Sequence, residues 1–211
     1  NEAIPTPAYE ILLRHGARHF ALELPVFVKP AKEGSSVGAH RVMKESEIDA
    51  AVEDAFRHDD YVLVEEFIDG REINVGLVEA NGKVDTLPAS EIDYSGFPSG
   101  IPRICGYEAK WVTESIEYQR SKPICPAPLD WVTKKRIEQI AVKAFRLFGC
   151  RDYARVDFRI DRDGKIFVLE VNPNPDISPQ AGMSRAIHVQ GMTYQDFVNI
   201  LLTKALSRKA A

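Results

Sequence analysis

The chain has 211 residues, 45% of them hydrophobic, and a formal net charge of −4. That suits one large or two small domains with ample core material, and it excludes a general basic surface for nucleic acid or anionic membrane. No apolar run reaches membrane-spanning length, no secretory signal is visible, and Cys105, Cys125 and Cys150 lack CxxC spacing, which fits free thiols in a reducing cytoplasm.

The chain opens on Asn1 and the Pro-rich Ile4-Pro5-Thr6-Pro7, which reads as a piece of something longer. Pro25 to Pro30 is a short strand, followed by a loop from Ala31 to Gly38 and a second strand near Ala39 to Met43. Ser46 with Asp49 resembles a capping box for a helix whose Ile48, Val52 and Phe56 share a stripe. Tyr61 to Ile68 is a strand, Asp69-Gly70 a turn, and Ile73 to Val78 its expected partner, with a further hairpin turn at Asn81-Gly82. Residues from about Ser90 to Pro128 hold many Pro, Gly and Ser without a clean period and read mostly as loop. Thr133 starts a helix with Ile137, Ile140, Ala141, Ala144 and Phe148 on its apolar face, ended by Gly149. Thr193 with Asp196 caps a last helix carrying Phe197, Ile200, Leu201 and Leu206.

Between the last two helices lie Arg155-Val156-Asp157-Phe158 and Glu170-Val171-Asn172, joined by a turn at Asp163-Gly164. With those two residues as the loop, Arg162 pairs with Lys165, Asp157 faces Glu170, and Arg155 faces Asn172. All four then share one face, and Val156, Phe158, Phe167, Leu169 and Val171 form the core face. Facing carboxylates repel unless a cation lies between them. Two acids and an amide oxygen are hard ligands suited to Mg²⁺, with phosphate completing the shell. The same pattern also describes a solvated face on which Arg155 neutralises an acid.

Two other segments carry chemistry. In Lys29-Pro30-Ala31-Lys32-Glu33-Gly34-Ser35-Ser36-Val37-Gly38, Gly and Ser leave backbone N–H groups free to approach an anion, with Lys29 at the end of the preceding strand. It is not a Walker loop, since no Gly-Lys-Ser/Thr follows, and a Gly/Ser hairpin loop has the same composition. In Val64 to Glu72, an apolar strand ending in Phe67-Ile68 offers an adenine-sized slot, and Glu72 an acceptor for ribose hydroxyls. Standing alone, that segment reads first as an ordinary edge hairpin with solvated acids.

Taken in order, Lys29 to Gly38, Glu65 to Glu72, Tyr107-Glu108-Ala109-Lys110, and Arg155/Asp157 with Glu170/Asn172 resemble the ATP-grasp superfamily, and within it the D-alanine–D-alanine ligases. The resemblance covers roughly residues 4 to 206. It implies an α+β fold of two lobes with antiparallel sheets and ATP in the cleft between them, here 1–72 and 73–211. It further implies that Lys29 and Lys110 hold ATP phosphates under a lid formed by Ser35 and Ser36. Glu65, Phe67 and Ile68 line the adenine site and Glu72 binds ribose. Asp157, Glu170 and Asn172 hold Mg²⁺, with Mn²⁺ as a substitute, and Arg155 stabilises an oxyanion. The implied reaction turns a carboxylate and ATP into an acyl-phosphate, which an amine attacks to give an amide.

The resemblance has three departures. The family's N-terminal domain of about a hundred residues is missing here, so a partner region of the same polypeptide is implied and this piece alone is expected to be inactive. Trp111 stands where a lid tyrosine partners Ser35. Asp176 replaces a Gly, and Ala181-Gly182 replaces a Ser-Leu pair that holds the second substrate's carboxylate. A lost hydroxyl and an added anion point to an acceptor or donor other than D-alanine. A true D-alanine–D-alanine ligase and a non-catalytic nucleotide-binding module are the alternatives. Small amino-acid or carboxylate substrates are expected, with no nucleic acid or membrane partner, and a homodimer because family ligases are commonly dimers.

Overall fold

The computed structural model describes residues 4–16, 19–80 and 82–209, residue 209 through its backbone only. Strands β1 (Tyr9–Leu13), β2 (Val26–Pro30) and β3 (His40–Val42) come first, then helix α1 (Ile48–His58) and strand β4 (Tyr61–Glu66). Strands β5 (Gly70–Ala80), β6 (Lys83–Thr86) and β7 (Ser90–Asp93) follow, then the short helices α2 (Tyr107–Trp111) and α3 (Ile116–Arg120) and strand β8 (Lys122–Ile124). Helix α4 (Trp131–Leu147), strands β9 (Tyr153–Asp161) and β10 (Ile166–Asn172), and helices α5 (Gly182–Val189) and α6 (Tyr194–Lys209) complete the order. No helix among the described residues is long and apolar enough to cross a membrane, and the three cysteines are free.

The chain divides into two compact units. One comprises Thr6–Asp69 and Asp93–Lys122; the other comprises the described residues of Asn1–Pro5, Gly70–Ile92 and Pro123–Ala211. A single cut after residue 72 misses the return of 93–122 to the first unit, because that return depends on packing between residues far apart in sequence.

In the first unit, an antiparallel sheet of order β1-β4-β2-β3 has one face covered by α1. Strand alternation sends Val26, Val28, Val62 and Val64 inward against Val52, Ala55 and Phe56, all essentially inaccessible. Helix α1 is preceded by a 3₁₀ turn, and its cap is not Ser46 with Asp49. The Glu47 carboxylate accepts the N–H groups of Met43 and Lys44 instead.

The second unit holds a six-stranded sheet of order β10-β9-β5-β7-β8, with β6 on β5. Helix α4 covers one face, burying Ile137, Ala141, Ala144 and Phe145 against Val75, Val156, Phe158, Ile166 and Val168. Helices α5 and α6 cover one end of the other face, where Met183, Ile187 and Phe197 meet Val78 and Leu87. Gly76 permits this approach, since a Cβ there would lie 2.6 Å from the Met183 sulfur.

Several elements differ from the sequence reading. Strand β5 does not pair with β4; it lies in the other sheet, between β9 and β7. Gly70 is needed for close approach rather than for a turn, because a Cβ would stand 1.9 Å from the Ile160 carbonyl oxygen. The β5–β6 hairpin joins Ala80 to Lys83, with Gly82 at φ +74°; Asn81 lies outside the described residues. On α4, Asp130 accepts the Thr133 N–H and Phe145 takes the inward place expected of Phe148, which is 67% exposed. Gly149 closes that helix at φ +61°. The Thr193–Asp196 box forms in both directions, yet Leu206 is exposed. The 90–128 stretch includes β7, α2, α3 and β8.

Candidate active site

The β9–β10 hairpin brings Glu170 opposite Asp157 and Asn172 opposite Arg155, as the sequence expects, by a different route. The loop has three residues, Arg162 to Gly164, closed by Asp161 N–H to Lys165 O, with Gly164 at φ +79°. Ile166, Phe167 and Val168 therefore pair with Ile160, Arg159 and Phe158, one residue out of the expected register. A bulge between Val168 and Glu170 absorbs Leu169 and restores the pairing. The inward residues near the turn are thus Ile166 and Val168, not Phe167 and Leu169. The α4 side of the sheet selects this arrangement, since a one-residue slip exchanges the faces.

Strand β5 extends the polar face. Asn74 pairs with both Asp157 and Ser90, so Ser90, Asn74, Asp157 and Glu170 form one row across four strands. Glu72 pairs with Arg159 in the next row, and the Arg159 guanidinium donates to Glu72 Oε2 at 2.6 Å and to the Gly70 carbonyl. Arg155 grips both Asp157 oxygens, Nε to Oδ1 at 2.7 Å and Nη2 to Oδ2 at 2.8 Å. The Ser90 hydroxyl is buried and has no hydrogen-bond partner among the described residues. Asn74, Arg159 and Ser90 escaped the sequence reading, because only the order of strands brings them to this face.

The donors fit a hard divalent cation. Asp157 and Glu170 supply carboxylate oxygens, and each Asp157 oxygen keeps a lone pair beside its bond from Arg155. Asn172 Oδ1 accepts the Asn174 N–H at 2.9 Å and likewise keeps a second lone pair. Among the described residues no cluster of three His, Cys, Asp or Glu side chains that could hold a metal ion is found, so a cation here would rest on two carboxylates and the Asn172 amide.

A second cluster lies within the four-stranded unit. Lys29 Nζ is 2.6 Å from Glu65 Oε2, and Glu65 is buried. Phe67 faces the Phe27 ring at 6.5 Å and lies under the Arg41 guanidinium at 5.5 Å; Phe27 and Arg41 are additions to the expected slot of Glu65, Phe67 and Ile68. Ser35 and Ser36 both sit in left-handed backbone, at φ 57° and 61°, which costs on the order of 1–3 kcal/mol each in non-glycine residues. Lys110, on α2, donates to Ser36 Oγ at 2.9 Å, and that hydroxyl donates to the Cys105 carbonyl. The backbone N–H groups of Ser35 and Ser36 make no hydrogen bond to a described residue. Gly38 ends the loop at φ +65° against the His58 ring. Trp111 is exposed.

The turn after β10 leads into α5. Both Asp176 oxygens are engaged by Ser178, one by its N–H at 2.8 Å and one by its hydroxyl at 3.1 Å. Residue 176 is not in left-handed backbone, so Asp stands there without strain. Ala181 is the N-cap of α5 and Gly182 its first residue. Ser184 ties that helix to the carbonyls of Ile177 and Ser178.

Comparison with known proteins gives one consistent answer. The family model described as D-ala D-ala ligase C-terminus matches residues 3–203. D-alanine–D-alanine ligase A of Brucella suis biovar 1 (strain 1330) is 36% identical over 189 residues, covering 89% of this chain and 51% of that protein. Among solved structures, the D-alanine–D-alanine ligase from Coxiella burnetii superposes with a TM-score of 0.77 at 26% identity, covering 97% of this chain and 53% of the other. A D-Ala:D-Ser ligase from Enterococcus faecalis gives 0.74 at 25% identity, covering 95% and 57%. The chain spans about half the length of the curated relatives it matches. With this match over nearly its whole length and an α+β ATP-grasp fold, the chain belongs to the D-ala D-ala ligase C-terminus family.

Proposed function

We propose that the chain is the nucleotide- and metal-binding part of an ATP-dependent carboxylate–amine ligase. The single observation that carries this is the pair Asp157 and Glu170 with Arg155 and Asn172 two rungs along, four polar side chains held on one sheet face. Lys29 and Lys110 bind ATP phosphates, and the Ser35–Ser36 backbone closes over them. Glu65, Phe67 and Ile68, with Phe27 and Arg41, line the adenine slot. Glu72, already oriented by Arg159, accepts from ribose hydroxyls. Asp157, Glu170 and Asn172 hold Mg²⁺, which when bound neutralises phosphate charge during transfer.

In the reaction a substrate carboxylate oxygen attacks the γ-phosphorus and ADP leaves. The amine of a second substrate then attacks the acyl carbon, phosphate departs, and the amine loses a proton. Arg155 faces the charge that develops on the carbonyl oxygen, while its bond to Asp157 fixes its orientation. The serine loop excludes water that would hydrolyse the acyl-phosphate.

For the substrates we favour D-amino acids. The departures at Asp176, Ala181 and Gly182 argue for an acceptor other than D-alanine, but the Asp176 carboxylate is turned onto Ser178, which weakens the electrostatic part of that argument. Relatives named for D-alanine support D-alanine itself, and one solved neighbour is named a D-Ala:D-Ser ligase. Calorimetric titration with a non-hydrolysable ATP analogue, with and without Mg²⁺, tests the nucleotide site. Binding that depends on Mg²⁺ and is lost in the Asp157→Ala/Glu170→Ala variant supports the proposal, and Mg²⁺-independent or absent binding refutes it. Phosphate release by the full-length protein with D-alanine or D-serine then ranks the acceptors.

A further inference from the structure

The segment between Asn172 and α5 reads Pro173-Asn174-Pro175-Asp176. Proline has no N–H, so from 173 to 175 Asn174 alone has a backbone donor, and it is given to the Asn172 side chain at 2.9 Å. The Asn174 side chain is held in turn: Tyr153 Oη donates to Asn174 Oδ1 at 2.7 Å. Tyr153 lies two residues before Arg155 on β9 and so shares its face. Its ring stands edge-on to Phe197 at 6.0 Å, and Phe197 is fully buried between α6 and the sheet. Ring packing therefore fixes where the hydroxyl ends.

We infer that Tyr153 is a positioning residue that acts through Asn174 to hold the Asn172 amide toward the cation. This rests on the proposed metal site. The two hydrogen bonds run in series, Tyr153 to Asn174 and Asn174 to Asn172, so one rotamer of Asn172 is linked to the packed core under α6. Outer partners of this kind commonly change metal affinity by about 10–100-fold when removed. Replacing Tyr153 by Phe keeps the ring on Phe197 and deletes only the hydroxyl, so the fold is retained.

The test measures Mn²⁺ affinity by electron paramagnetic resonance in the chain saturated with a non-hydrolysable ATP analogue. Tyr153→Phe and Asn174→Ala are each expected to weaken Mn²⁺ about tenfold. The double variant is expected to lose no more than either single one, as for links of one relay. Unchanged Mn²⁺ affinity in both single variants, or additive losses in the double one, overturns the inference and leaves the metal site standing. A parent chain that binds no Mn²⁺ overturns the metal site and the inference together.

Discussion

On the polar face of the six-stranded sheet, Arg155, Asp157, Arg159 and Glu72 occupy ladder positions, whereas Ser35, Ser36 and Lys110 belong to a loop and a five-residue helix. In the first region the cations are already matched to carboxylates by bonds of 2.6–2.8 Å between strands or along one strand. In the second, a lysine rests on a serine hydroxyl and two serines hold unfavourable backbone angles. On the proposed reading, groups that must keep one geometry through the reaction stand on strands. Groups that must close and reopen stand on a segment whose strain a ligand can offset.

The largest expected effect tests the rigid side. In the full-length protein, Arg155→Ala should lower kcat by about 10²–10³ with little change in KM for ATP, measured by phosphate release. Loss in KM alone would move Arg155 from charge stabilisation to substrate binding. The bulge comes next. Val168→Asp should cost about 3 kcal/mol in urea unfolding, since it places a charge in the core, and Phe167→Asp about 1 kcal/mol. The reverse order would restore the regular two-residue hairpin register.

Lys110→Ala tests the mobile side and should weaken nucleotide affinity about tenfold, equal to about 1.4 kcal/mol, by calorimetry. Because Lys110 is exposed, its removal should change unfolding by less than about 0.5 kcal/mol. A large stability loss would show that the loop is as fixed as the sheet.

The smallest effect concerns the rim of the sheet. Lys204 donates to Glu79 Oε2 at 2.7 Å, and this bond above all holds the Glu79 carboxyl below its usual pKa, against burial. A lowered folded-state pKa adds stability that is complete above the ordinary glutamate value of about 4.3 and is lost as pH falls through the lowered one. Lys204→Met should therefore destabilise at pH 7 by up to about 1 kcal/mol, and the gap to the parent should shrink near pH 3 in urea midpoints. A gap independent of pH would assign Lys204 to packing instead.

Much of the candidate site was legible in the residues. The order of Lys29, the serine loop, Lys110 and the Arg155/Asp157 hairpin sufficed to suggest the family, and the pairing of Asp157 with Glu170 was reached from a glycine turn and alternation. That pairing holds despite a different turn length, because a three-residue loop and a bulge at Leu169 cancel in register. Phe167 and Leu169 look as apolar as Ile166 and Val168, so composition cannot tell which pair faces α4.

By itself the sequence determined which residue types can ligate, that Gly82 and Gly164 turn the chain and Gly149 ends α4, and that Thr193 with Asp196 caps α6, since these follow from local sterics and short-range hydrogen bonds. Only the tertiary structure decided that β5 joins β9 rather than β4, that residues 93–122 return to the first unit, and that Asn74, Ser90 and Arg159 reach the polar face. Those outcomes depend on competition among distant strands for the same backbone hydrogen bonds and apolar surface, and nearest neighbours along the chain do not record that competition.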